Sequence, residues 1–175
     1  VGGLDPSTTS VGKRFGKAGF SVLMFDAFKM NKISRDGVFW GASVHAGSTG
    51  RMIYFSGLAG IKWVMKNYPE RSKKIIVYGL STGGTAATHL AATDGLDRLK
   101  MVFAEGPNNA GIGLPDKLLK PVHVFYGALD NFGGSTADEF LWKRRSSCLW
   151  NAPTFNMPAA NTAKCNYSTW TRGDR

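Results

Sequence analysis

Residues 77–84 have the sequence Val-Tyr-Gly-Leu-Ser-Thr-Gly-Gly, which contains the pattern G-x-S-x-G centred on Ser81. The apolar run of residues 75–78 is typical of a buried strand, and the small residues of 82–92 are typical of a helix. A serine between such elements lies on a sharp turn that raises its hydroxyl above the carboxyl edge of a sheet. Glycines two residues before and two residues after Ser81 remove side chains that would collide there. The pattern therefore predicts that Ser81 is a nucleophile.

This octapeptide has two other interpretations. A glycine-rich turn can merely pack a helix against a strand, or its amides can hold a phosphate. The phosphate interpretation is disfavoured because the sequence has neither G-x-G-x-x-G nor a P-loop lysine after these glycines. In the nucleophile interpretation, the amide of Thr82 and the helix dipole would stabilise a developing oxyanion. The packing interpretation stays open at this point.

Apolar runs of strand length alternate with helical patterns along the rest of the chain. Strands are predicted at residues 20–26, 75–78, 101–104 and 122–126. Helices are predicted at residues 8–17, 56–67 and 82–92, with a long loop at residues 29–50. Apolar runs without polar alternation suit strands that are buried on both faces of a parallel sheet. The alternation of strands and helices predicts a doubly wound, mostly parallel α/β sheet in one domain.

Composition excludes several other classes of protein. The 175 residues are 43% hydrophobic, enough for one domain with a core, and no apolar run approaches the ~20 residues that span a bilayer. The net charge is +10, from 22 Lys and Arg against 12 Asp and Glu. Nucleic-acid binding needs cations concentrated on one face, but the only tight run here is residues 143–145. We therefore expect a basic solvated surface, with no nucleic-acid partner and no membrane span.

A serine nucleophile needs a base and an acid that orients the base. On this kind of fold the order along the chain is Ser, acid, His. Asp130 follows the strand predicted at residues 122–126, so its carboxylate would emerge at the same sheet edge as Ser81. The alternative is that Asp130 is an ordinary turn residue beside Asn131.

The chain resembles the α/β-hydrolase superfamily, and within it the dienelactone-hydrolase-like family, from its start to about residue 145. Besides the serine and acid motifs, the resembling stretches are Gly2-Gly3-Leu4, residues 17–28, residues 58–63 and residues 121–127. The resemblance implies an α/β-hydrolase fold, incomplete at one or both ends. It implies a serine esterase that cleaves small-molecule carboxylic esters or lactones through an acyl-enzyme on Ser81, without cofactor or metal. It also places the two oxyanion-hole amides at Thr82 and Val1.

The sequence departs from that family in its histidines. The family's catalytic triad has a histidine after the acid, whereas no His follows Asp130 here. We expect His123 to pack in the core and His89 to point away from Ser81, which leaves His45 in the predicted loop as a weak substitute. Either the catalytic histidine lies outside this chain, or the protein is an inactive hydrolase-fold module that binds a ligand or partner. The joint presence of the glycine pattern, Ser81 and Asp130 favours the enzyme.

The two cysteines lie in a C-terminal stretch with little periodicity. We predict a core over residues 1–147 and an irregular tail over residues 148–175 within a single domain. A disulfide between Cys148 and Cys165 would close that tail, and two unrelated thiols are the alternative. Paired cysteines would favour a periplasmic or secreted location.

Overall fold

A computed structural model describes residues 4, 6–33, 42–107, 112, 115, 117–127 and 165–170. In these ranges the chain forms four helices and four strands. The helices are α1 (Pro6–Lys17), α2 (Ala27–Met30), α3 (Ala42–Asn67) and α4 (Thr82–Ala91). The strands are β1 (Ile75–Leu80), β2 (Leu99–Glu105), β3 (Val122–Gly127) and β4 (Cys165–Trp170).

The strands form one parallel sheet in the order β1-β2-β3-β4. The strands predicted at residues 75–78, 101–104 and 122–126 are confirmed, as are the helices predicted at 8–17 and 82–92. Helix α4 follows β1 and packs on both β1 and β2, which is the arrangement of a β-α-β unit. An α/β architecture with a parallel sheet is therefore present.

One face of this sheet holds the core, and we call it the core face. Helix α4 packs directly on it, and α3 packs against α4. The buried side chains there are Val102, Ala104, Val122 and Val124 from the strands, with Ala87, Leu90 and Ala91 from α4 and Ile61 from α3. Because these residues alternate along β2 and β3, the other side of each strand contributes little to this core.

The opposite face, which we call the open face, carries Ile76, Tyr78, Leu80, Phe103, Glu105, His123 and Phe125. Ile76 and Leu80 are 42% and 41% exposed, and the other side chains are half-buried. From α1, Phe15 packs on Tyr78, with ring centroids 5.8 Å apart. The prediction that these strands are buried on both faces is therefore wrong within the described part of the chain. An apolar run shows that a strand is hydrophobic but does not show what covers each side.

The strand predicted at residues 20–26 is wrong in a specific way. The segment forms neither a helix nor a strand, and it is not paired with any strand in the described ranges. Instead, Phe25 packs over Gly57 and Gly60 of α3, and the side chain of Asp26 accepts hydrogen bonds from two amides at the start of α2. The segment thus connects two helices. Most of its apolar side chains are exposed (Phe20, Val22, Leu23 and Met24), so the apolar run did not indicate a buried strand.

The loop predicted at residues 29–50 is also wrong over its second part, because α3 already begins at Ala42. The glycines and hydroxyl residues of this stretch are weak helix formers. Packing offsets that weakness: Thr49, Gly50 and Ser56 are buried, and the amide of Asn31 donates to the hydroxyl of Ser56 at 3.0 Å. Likewise, part of the tail predicted to be irregular forms β4.

Membrane spanning was tested on the helices of the described residues. Only α3, with 26 residues, has the length that a span requires. No helix in these ranges combines that length with enough apolar character to cross a bilayer.

The difference in burial between the core face and the open face predicts different effects of substitutions on stability. Replacing Leu99, which is 0% exposed in the core, with Ala should lower the free energy of unfolding by about 2–5 kcal/mol, because it leaves a cavity. The same truncation at Leu80, which is 41% exposed on the open face, should cost less than about 1 kcal/mol. Urea unfolding of both variants measures this, and equal losses would contradict the distinction between the two faces.

Candidate active site

The turn between β1 and α4 holds Ser81 in a strained backbone conformation. Its φ is 56° and its ψ is −123°, a region that costs a residue with a side chain about 1–3 kcal/mol. The strain is maintained by hydrogen bonds on both sides. The amide of Ser81 donates to the carbonyl of Glu105 at 2.8 Å, and the carbonyl of Ser81 accepts from the amide of Gly84 at 2.8 Å. The sharp turn predicted from the sequence is present, and the nucleophilic role of Ser81 stays a prediction.

The glycines around Ser81 do not all serve the same purpose. A Cβ on Gly79 would lie 2.1 Å from the carbonyl oxygen of Gly83, so the strand and the helix touch backbone to backbone. A Cβ on Gly84 would lie 3.2 Å from the carbonyl oxygen of Glu105. A Cβ on Gly83, in contrast, would meet nothing within 4 Å. The expectation that Gly83 prevents a collision of its own side chain is therefore wrong, and Gly84 is the tighter position on the helix.

The start of α4 lies directly after Ser81. Thr82, the first residue of the helix, is buried, and the role of its amide as an oxyanion donor stays a prediction. The positive end of the helix dipole adds to the favourable field for an anion at this point. The other predicted donor, Val1, lies outside the described residues.

The predicted acid, Asp130, also lies outside the described residues. Strand β3 ends at Gly127, three residues earlier, and runs parallel to β1 and β2. The chain therefore arrives at the same sheet edge as Ser81 when it approaches Asp130. The prediction for Asp130 required this direction of β3, and the position of the Asp130 carboxylate stays a prediction.

His123 and His45 do not have the positions expected from the sequence, and nothing contradicts the expectation for His89. His89 lies eight residues along α4 from Ser81, which is about 12 Å of helix, and its ring is 6.1 Å from that of Tyr54. His123 is half-buried on the open face, not in the core, and stacks on Phe103 at 5.1 Å. His45 belongs to helix α3 and not to a loop, and its side chain lies outside the description.

A pair that sequence reasoning missed lies next to the turn. The hydroxyl of Tyr78 donates a hydrogen bond to the Oε2 atom of Glu105. Burial, together with the hydrogen bond and the negative charge of Glu105, raises the pKa of Tyr78 well above its ordinary value. The sequence offered one sign of this pair, which is the acidic residue at the end of the apolar run of residues 101–105. That signal does not identify a partner 27 residues away.

A metal site and a disulfide are two further features that a chain with these residues could have. Among the residues that the structure describes, no three His, Cys, Asp or Glu side chains are grouped so that they could hold a metal ion. Cys148 lies outside the description, and only the backbone of Cys165 is described, so the two disulfide alternatives remain as the sequence left them.

No protein-family model, no curated protein and no solved structure matches this chain. The resemblance to α/β-hydrolases thus depends on the sequence motifs alone, and the geometry of the turn at Ser81 is compatible with them. What that geometry can do chemically is to present a hydroxyl beside the N-terminus of a helix, where negative charge is stabilised.

The contact between strand and helix predicts a difference between two glycines. Gly79→Ala should lower the free energy of unfolding by about 3 kcal/mol or more, because its Cβ would overlap backbone that cannot move independently. Gly83→Ala is the matched control, which should be neutral or stabilising by up to about 1 kcal/mol because alanine is the better helix former. Denaturant unfolding of both proteins provides the measurement. Similar losses at both positions would show that the close approach is not at Gly79.

The raised pKa of Tyr78 predicts how stability depends on pH. The folded protein retains the phenol proton at pH values where the unfolded chain loses it, so this contribution is complete below pH about 10. Above that value the free energy of unfolding should fall as pH rises. Tyr78→Phe should make this fall shallower, which urea unfolding between about pH 8 and about pH 11 would measure. Parallel curves for the two proteins would contradict the prediction.

Proposed function

We propose that this protein is a serine hydrolase of the α/β-hydrolase type, which cleaves carboxylic esters or lactones as dienelactone-hydrolase-like enzymes do. The observation that carries the proposal is the φ of 56° at Ser81, between β1 and α4. A turn that only packed a helix on a strand would be less strained with glycine at this position. The serine side chain is therefore present in spite of its conformational cost, which supports a use for its hydroxyl.

The proposed reaction uses the following roles. The Oγ of Ser81 attacks the ester carbonyl, and its proton passes to a general base that Asp130 orients. The amides of Thr82 and Val1 stabilise the tetrahedral oxyanion, which collapses and expels the alcohol. Water then attacks the acyl-enzyme and releases the acid. Each half-reaction is easier than direct hydrolysis because the nucleophile is held at the carbonyl.

A second candidate function is an inactive hydrolase-fold module that binds a ligand or partner. It is favoured by the absence of a histidine after Asp130 in the sequence and by the contacts of the two described histidine rings, which lie on Tyr54 and Phe103. In this case the strained turn would be retained without an activated hydroxyl.

Labelling with a fluorophosphonate distinguishes the two candidates. An activated serine displaces fluoride from the phosphorus atom, so intact mass should show one adduct, and peptide mapping should place it at Ser81. Ser81→Ala should abolish the adduct. The matched control is Ser10→Ala, at an exposed position on α1, and it should label as fully as the original protein.

Failure of the original protein to form an adduct, while remaining folded by circular dichroism, would contradict the hydrolase proposal and favour the binding module. An adduct that persists in Ser81→Ala would place the reactive group elsewhere. Turnover of a small ester, lost in Ser81→Ala and kept in Ser10→Ala, would complete the support for catalysis.

A further inference from the structure

The open face of the sheet contains a pocket with an unusual lining. It has a volume of about 380 Å³ and is lined by Phe15, Tyr78, Phe103, Glu105 and Phe125. Four of these five side chains are aromatic, and the fifth is a carboxylate. All five are half-buried. The pocket is therefore almost entirely apolar, with negative charge at one place.

The rings of this pocket are arranged as two pairs. Phe15 meets Tyr78 at a centroid distance of 5.8 Å with their planes inclined by 59°. Phe103 lies 5.9 Å from Phe125 and nearly parallel to it, at 22°. Aromatic faces carry partial negative charge, and they attract cations that lie over them within about 6 Å. Several rings around one space therefore favour a positively charged group that is also apolar.

The carboxylate of Glu105 strengthens this preference. Its Oε2 atom accepts the hydroxyl of Tyr78, and no Lys or Arg of the described residues forms an ion pair with it. A half-buried carboxylate beside aromatic rings is poorly solvated, so a cation in the pocket would gain from both the charge and the rings.

We propose that this pocket binds an organic cation with an alkylated ammonium group. A neutral apolar ligand would cover Glu105 without compensating its charge, which is unfavourable. An anion would be repelled by the carboxylate and by the ring faces. A small metal ion would find a single carboxylate and few other oxygen ligands, whereas Ca²⁺ prefers six to eight. The site is formed by side chains of the open face and α1, and it does not use the hydroxyl of Ser81.

The first experiment compares a charged probe with an uncharged probe of the same shape. Choline and 3,3-dimethylbutan-1-ol differ by replacement of a positive nitrogen with carbon. Calorimetric titration of the folded chain should give a dissociation constant for choline at least about tenfold lower than for the neutral alcohol. Equal affinity for the two probes, or no binding of choline at millimolar concentration, would overturn the proposal.

Three variants locate the site. Glu105→Gln keeps the shape and an acceptor for Tyr78 but removes the charge, so choline affinity should fall about tenfold. Tyr78→Phe keeps the ring and releases Oε2, so affinity should be equal or higher. The matched control is Glu70→Gln, whose carboxylate is exposed and paired with Lys73, and it should bind choline as the original protein does.

Loss of affinity in Glu70→Gln as great as in Glu105→Gln would overturn the proposal, because the effect would then follow net charge alone. A self-association that Phe103→Asp abolishes, together with no choline binding, would show that a second copy of the chain covers this face, and would also overturn it. Ser81→Ala should bind choline normally, so this test can succeed or fail independently of the hydrolase proposal.

Discussion

The backbone contact between Gly79 and Gly83 is the constraint on which the rest of the described structure depends. A Cβ on Gly79 would lie only 2.1 Å from the carbonyl oxygen of Gly83. Strand β1 and helix α4 therefore meet with no side chain between them. The chain makes that change of direction with a positive φ at Ser81. The same turn is joined to β2 by the hydrogen bond from the amide of Ser81 to the carbonyl of Glu105. One close approach thus fixes two strands and a helix relative to each other.

The two faces of the sheet then separate stability from recognition. On the core face, valine and alanine side chains of β2 and β3 pack under α4 and are buried in the hydrophobic core. On the open face, the same strands present larger aromatic rings and a carboxylate, which are half-buried. Half-buried rings beside a single charge are poor material for a close-packed core, but they suit contact with a molecule of matching charge.

Local patterns were predictable from the sequence, and long-range contacts were not. The strand, turn and helix around Ser81 follow from adjacent residues, and so do the apolar runs of β2 and β3. Residues 20–26 have the same apolar composition, but no sequence pattern tells whether a neighbouring strand edge is available. The start of α3 at Ala42 was not predictable from its weak helix formers, and within the helix Thr49 and Ser56 are buried. The specific roles of Gly83 and Gly84 required atomic distances.

Glu105 shows how one residue contributes to both sites through different atoms. Its carbonyl oxygen belongs to the ladder that holds the turn at Ser81, whereas its carboxylate lies on the open face and accepts the hydroxyl of Tyr78. The carbonyl is fixed by the register of β2 with its neighbours, so a change in the side chain does not remove it. A ligand that displaced the hydroxyl of Tyr78 would therefore contact the side chain of Glu105. The backbone of the same residue supports the turn at Ser81. Because the strand is hydrogen-bonded on both sides, that backbone should resist movement, and occupation of the pocket should leave the geometry of Ser81 unchanged.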